Sequence, residues 1–215
     1  MSQLVLTSDT LVATPTAGAF EYLSPTIYAT PVGVQRGLIP NAQFYRLNAD
    51  YVGASSTSAQ GIFGVGTSGV GLGVTLSSST VYAFEMYAIF SKTATATAHN
   101  FQLGFAGGTA TVNNILYGGP FIYNATSFTT GFISGAAAFD ANTTAATTIQ
   151  AVAATATIQI RTYFRGTVSV NAGGTFIPQY TISAAVGPYS TLAGSYFLIY
   201  PIGASGAAIN VGTWS

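Results

Sequence analysis

Charge is what this sequence has least of. Five Lys/Arg and five Asp/Glu make up 5% of its 215 residues, against about 25% in ordinary soluble domains. The two signs cancel, so there is no basic excess to neutralise phosphates, and the composition argues against a nucleic-acid partner. Cysteine is absent, which excludes disulfides and thiolate metal sites. A single histidine, His99, and five dispersed carboxylates offer no cluster of metal ligands, and no cofactor is expected. No run of about 18 apolar residues occurs, so membrane insertion by a helix is not expected. An outer-membrane barrel would also alternate and be rich in tyrosine, but such chains line their lumen with charge that is missing here. Glu, Lys and Leu, which fill ordinary helices, are scarce.

What is present is apolar, small and β-branched. Hydrophobic residues make up 49% of the chain, ample for one buried core, and the length fits one domain with or without a short arm. A neutral, apolar monomer of 22.0 kDa should dissolve poorly, because net charge keeps chains apart. Much of the surface is therefore expected to be covered by other subunits. The alternative is a monomer kept in solution by its many Ser, Thr and Asn residues.

Strand signals recur along the chain. In "VYAFEMYAIF", Tyr82, Phe84, Met86, Ala88 and Phe90 share one face at period two; the opposite face, Val81 to Ile89, is also largely apolar. That pattern predicts a strand at the centre of a sheet or at a subunit contact. "ATIQIRTYFRGTVSV" is the clearest half-buried strand, with Ile158, Ile160, Thr162 and Phe164 inward and Gln159, Arg161, Tyr163 and Arg165 outward. The two arginines are read either as a small basic patch or as a solvated face paired with Asp140 or Glu85. Further strands are expected in "FYRLNADYV", "HNFQLGFAG", "TVNNILYG", "SFTTGFIS", "TFIPQYTISAAV" and "SYFLIYPIG". Between them lie Gly-Gly, Asn-Asn, Gly-Pro and Asp-Ala-Asn clusters, which are turn formers. About eight strands at this spacing predict an all-β, antiparallel β-sandwich or jelly roll. Pro178 and Pro201 each lack a ladder donor, so their strands should be edges or should end there.

Catalytic signatures are sparse. Gly64 to Gly69 spell a formal G-x-G-x-x-G, but no helix pattern follows and no acid stands at the required distance, so a glycine-rich loop is expected. No G-x-S-x-G occurs, and His99 lies in the polar stretch "TATAHNF", where a solvated residue or hydrogen-bond donor is expected rather than a base. Glycoside cleavage needs only two carboxylates, about 5–9.5 Å apart. The candidates are Asp9, Glu21, Asp50, Glu85 and Asp140, none adjacent to another. The sequons at Asn124 and Asn142 matter only in a secretory pathway.

The opening stretch "PTAGAFEYLSPTIYATPVGVQRG", residues 15–37, reads as two short strands joined by Leu23-Ser24-Pro25. Phe20 and Tyr22 share one face, Glu21 the other, and Pro31 ends the return strand. Such a hairpin is marginal alone and needs a partner surface. It resembles a module of tailed-bacteriophage virion proteins, especially tail fibres and related appendages, on Pro15, Ala-Gly-Ala, Glu21-Tyr22, Tyr28 and Arg36. An Asp-Gly turn of that module is replaced here by Leu23-Ser24-Pro25. The glycine- and threonine-rich remainder is similar in style to fibre heads and capsid-decoration proteins.

The resemblance implies a non-enzymatic, homotrimeric component of a virion surface. It would be made in the host cytoplasm without a signal peptide and would contact other virion proteins of the capsid, neck or tail. Residues 1–50 would form the anchoring arm and hairpin, and 51–215 the outward-facing sandwich. The other function implied is adhesion, with exposed tyrosines and loop hydroxyls binding host-surface glycan. No ligand-binding residue is singled out by the sequence.

Overall fold

The computed structural model describes residues 5–65, 71–124 and 135–214. The predicted strand "SFTTGFIS", and most of the glycine loop at Gly64 to Gly69, lie outside them. Every regular element described is a strand. The first three are β1 (Phe20–Leu23), β2 (Thr26–Val32) and β3 (Gln35–Ile39). They are followed by β4 (Gln43–Arg46), β5 (Tyr51–Val52), β6 (Gln60–Gly61), β7 (Val74–Leu76), β8 (Thr80–Lys92), β9 (His99–Gly104) and β10 (Thr111–Asn124). The remainder are β11 (Gly135–Ala141), β12 (Thr147–Val152), β13 (Ile158–Ala172), β14 (Gly174–Phe176), β15 (Gln179–Ile182), β16 (Ser190–Thr191) and β17 (Tyr196–Ala204).

Antiparallel sheets stack into a β-sandwich. The large sheet runs β11-β10-β13-β8, and on the far side of β8 both β16 and β17 pair with it, one after the other along its length. The opposing layer holds β12-β9-β15-β6 and the small β14-β7 ribbon. From β8 onward the chain passes back and forth between the layers, so every layer change is a loop at one end of the sandwich. The core is aromatic where the layers meet. Phe84 lies 5.2 Å from Phe105 and 6.1 Å from Phe176, while Phe90 lies 4.8 Å from Phe101. Phe105 and Phe176 stack at 4.8 Å. Rings in such offset and edge-on arrangements contribute about 0.5–1.5 kcal/mol per pair beyond the area they bury.

The alternation in the two long strands settles which side each residue takes. Tyr82, Phe84, Met86, Ala88 and Phe90 are buried, as are Ile158, Ile160, Thr162 and Phe164. Pro178 falls between β14 and β15, ending one strand. Pro201 lies within β17, beyond Ile199, the last residue that β4 pairs, so no ladder donor is needed on that side.

Three expectations are corrected by the chain's actual path. Asn113-Asn114 and Gly118-Gly119-Pro120 are not turns but lie inside the 14-residue β10. Asp140 on β11 crowds the outer face of Gly118 so closely that a Cβ would not fit, nor would one clear the Phe139 carbonyl. Glycine here answers a close approach, not a reversal. Pro31 does not end β2, which continues to Val32 because the ladder with β3 shifts register between Ala29 and Val32. Finally, β4 pairs with β17 and Leu47 joins the main core, so the sandwich starts near residue 43, inside the span assigned to the arm.

The N-terminal unit is the three-stranded sheet β1-β2-β3. Its two charged residues, Glu21 and Arg36, meet in a two-pronged ion pair: Arg36 Nε donates to Glu21 Oε2 at 2.7 Å and Nη2 to Oε1 at 3.0 Å. The pair also fastens the preceding segment. Val12 N–H donates to Glu21 Oε1, and Arg36 Nη2 donates to the Val12 carbonyl. With Asp9 N–H on the Tyr22 carbonyl, residues 8–12 run along the free side of β1. The Arg36 guanidinium holds the Glu21 carboxyl below the usual carboxylate range.

A candidate binding face on the large sheet

The outward face of the large sheet gathers most of the charge on the sandwich. Cross-strand pairing lays the side chains out in rows. Tyr163 on β13, Tyr87 on β8 and Tyr196 on β17 are direct neighbours, with Arg46 of β4 next beyond Tyr196. In the adjoining row Asp140 pairs with Gly118, Gly118 with Arg165, Arg165 with Glu85, Glu85 with Leu198, and Leu198 with Phe44. Arg161 lies one pair along from Tyr163, opposite Ile89. Thus Arg46, Glu85, Asp140, Arg161 and Arg165 occupy one face. The outer side of the facing sheet presents Asn100, Gln102, Thr148 and Thr181 and no charge.

At the centre, both oxygens of Glu85 are taken by phenols. Tyr163 donates to Oε2 and Tyr196 to Oε1, each at 2.7 Å. The two tyrosines sit on either side of Tyr87, on the diagonals from Glu85, within the reach of aromatic side chains across a sheet. Tyr87 and Tyr196 stack with ring centres 6.0 Å apart, and Phe44, on the diagonal in the adjoining row, lies 5.5 Å from Tyr196. The Glu85 hydrogen bond is the main reason the Tyr163 phenol is raised above its ordinary pKa. For Tyr196, pushed up to about 12, burial leads and the bond to Glu85 adds to it. Each phenol oxygen keeps a lone pair for a ligand. The face presents aromatic planes beside polar groups.

Glu85 and Asp140 are not at the spacing that glycoside cleavage requires. They share the face but stand three strands apart, about 14 Å at a strand spacing of about 4.8 Å; the reaction needs about 5–9.5 Å. Asp50 accepts a hydrogen bond from Ala193 N–H, Asp9 from Thr10 N–H, and Glu21 belongs to the N-terminal clamp. Arg165 has Glu85 as its direct cross-strand neighbour and Asp140 beyond Gly118, so the basic pair on β13 sits among acids rather than alone.

His99 differs from expectation in its surroundings. It is buried at the start of β9, not solvated. Nδ1–H donates to the Thr97 carbonyl at 2.9 Å, which leaves Nε2 to accept from the Tyr189 hydroxyl at 2.7 Å. Burial pulls its pKa below the ordinary value, and it is a core hydrogen-bonding residue. Of the two sequons, Asn124 is buried at the end of β10 and Asn142 is exposed after β11.

At the β4 edge a cleft of about 280 Å³ opens between the layers, lined by Phe44, Tyr45, Phe63, Leu72, Phe197 and Ile199 among others. Its walls are mainly aromatic and aliphatic, with Gln43 and Thr75 supplying polar side chains.

No family model matches the chain, and no curated protein matches it. Two solved structures of infectious bursal disease virus are similar to it in part. The Gx strain structure is 13% identical over 82% of this chain and 47% of that chain, with a TM-score of 0.18. The Gt strain structure is 11% identical over 84% and 48%, with a TM-score of 0.16. This chain therefore spans about half the length of those it matches. Likeness of that degree decides nothing about its function.

Sequence reading placed Arg161, Tyr163 and Arg165 outward and offered Asp140 or Glu85 as partners of the arginines, but it did not bring Tyr163 and Tyr196 to Glu85. Strand order was the missing fact: Tyr196 is 111 residues from Glu85 and meets it only because β17 pairs with β8.

Proposed function

We propose that this chain is a non-enzymatic structural component of a virus particle, of the tailed-phage kind that its N-terminal motif resembles. In this reading it works as a homotrimer, anchored through the N-terminal unit, with the sandwich turned outward. The observation that supports it best is the apolar exposure of that unit. Phe20 is 67% exposed and Val32 65%, and Trp214, 79% exposed, shares a depression with Gln35 of β3. In a chain with no net charge, apolar surface of this kind is the material of subunit contacts. The Glu21–Arg36 clamp gives the unit a fixed shape to present. A closed ring is preferred because unclosed contacts would polymerise; the number three comes from the motif's resemblance.

Light scattering on the full-length protein tests the association, with the Phe20→Ser, Val32→Ser double variant as its control. The expected result is a trimer that weakens in the variant while its sandwich stays folded. A stable, soluble full-length monomer at micromolar concentration would defeat the reading. Locating the chain in a map of intact particles would place it on head, neck or tail.

Adhesion to host-surface glycan is the second reading, and one observation favours it. The Tyr163–Tyr87–Tyr196 row beside Glu85 and Arg165 joins aromatic faces to polar groups that suit sugar hydroxyls.

A further inference from the structure

The sole lysine of the chain is where lysine is seldom found. Lys92 ends β8 only 1% exposed, in the interior of the sandwich's end. Its ammonium donates to four main-chain carbonyls: Ala94 and Thr95 at 3.0 Å, Thr155 at 3.0 Å and Ala156 at 3.1 Å. Among the described residues no carboxylate forms an ion pair with it; the ion pair found there joins Glu21 and Arg36. A buried charge without a counter-ion is expensive unless its hydrogen bonds are met in full. Here four acceptors face three N–H groups.

The four carbonyls belong to two different loops. Ala94 and Thr95 lie in the β8–β9 connection, Thr155 and Ala156 in the β12–β13 connection, and both connections cross between the two layers. Local turns brace both loops: Thr97 N–H bonds the Thr95 carbonyl and Thr155 N–H the Ala153 carbonyl, while Thr155 Oγ1 donates to the Thr157 carbonyl. Nearly equal distances to neutral oxygens, with no acid, describe the surroundings that suit a large monovalent cation. Carbonyl rings replace the hydration of such ions, whereas calcium sites recruit carboxylates.

We propose that the β8–β9 and β12–β13 loops form a monovalent-cation cage and that Lys92 supplies the cation covalently, fastening the two crossovers to each other. The end of the sandwich is thereby closed by an ion that cannot dissociate, whatever the salt outside. An emptied cage should accept ammonium, methylammonium or potassium and should discriminate against smaller or bulkier ions.

Thermal unfolding of the Lys92→Ala protein tests this, with chloride salts at equal ionic strength. The midpoint should fall relative to the unaltered protein. It should then recover, saturably, with ammonium, methylammonium or potassium, but not with lithium or tetramethylammonium, while the unaltered protein shows no such ion preference. A folded Lys92→Ala protein indifferent to the cation would overturn the proposal. Should that variant not fold, the unaltered chain still decides, because Lys92 and the α-amine are its only amines. An amine-acylating reagent followed by mass spectrometry should label the α-amine at once and Lys92 at least about a hundredfold more slowly, the two rates converging in denaturant. Labelling of Lys92 in the native protein at the rate of a free amine would overturn the cage.

Discussion

Replacing Glu85 by glutamine would separate the two phenols that now share it. The two bonds, each 2.7 Å, are charge-assisted. Bonds to a charged partner contribute about 1.5–3 kcal/mol when shielded; these are only half-buried, so water competes and about 1 kcal/mol each is the better figure. Glutamine keeps one acceptor oxygen and replaces the other with an N–H₂ that cannot accept, so one bond is weakened and the other lost. The expected loss of stability is about 1–2 kcal/mol. The titrations carry the sharper test. The rise of Tyr163 is led by its bond to Glu85, so in Glu85→Gln it should fall back toward the ordinary phenol value. The rise of Tyr196 to about 12 is led by burial, so the part that burial causes should persist. Carbon-13 shifts of Cζ-labelled tyrosine, assigned through Tyr163→Phe and Tyr196→Phe, would follow both. Equal shifts in the two phenols, or none in either with the fold intact, would refute the division of causes.

His99 predicts a pH dependence. It is neutral in the fold with a pKa lowered chiefly by burial, and the nearby Lys92 charge lowers it further against the raising effect of the Thr97 carbonyl. The unfolded chain takes up the proton first, so this contribution is complete above about pH 6.5 and is lost as the pH falls below it. Urea midpoints between about pH 7.5 and about pH 5 should slope downward on the acid side. Glutamine at 99 can still accept from Tyr189, and His99→Gln should remove that slope. Gly118→Ala would drive a Cβ into Asp140 and the Phe139 carbonyl and should cost about 1–3 kcal/mol in thermal unfolding. Adding Asp140→Ala should recover only part, since the carbonyl stays.

Much of the fold was legible because strand alternation is a local signal. In β8 and β13 it assigned each residue to a side, and burial follows it from Tyr82 to Phe90 and from Ile158 to Phe164. Where glycine and asparagine entered, the same local reading failed. Asn113-Asn114 and Gly118-Gly119 carry turn chemistry, yet the space that Gly118 leaves is filled by Asp140, a residue 22 positions away on the neighbouring strand. Composition alone cannot tell a glycine that bends the chain from one that admits a neighbour. Strand β12, "TTIQAV", went unread because its apolar positions, Ile149 and Val152, are three apart. A register shift against β9 between Thr148 and Gln150 breaks the period of two.

The candidate face and the lysine cage were hidden for a related reason, and the two show where a charge-poor chain places the charge it keeps. Glu85 and Arg165 are 80 residues apart and become neighbours through β13–β8 pairing. The cage joins Lys92 to Ala156 across 64 positions. In a chain with ten charged residues, scattered surface charge would give solubility. Instead five are gathered on one sheet face, two form the N-terminal clamp with Asp9 on the segment beside it, one is Asp50 receiving the Ala193 N–H, and one is sealed in the interior. Surface charge that contributes nothing specific is the ordinary condition of soluble proteins; here hardly any of it remains. Solubility is then left to hydroxyls and amides, and the surfaces without charge are free to meet other subunits, as the proposed assembly requires.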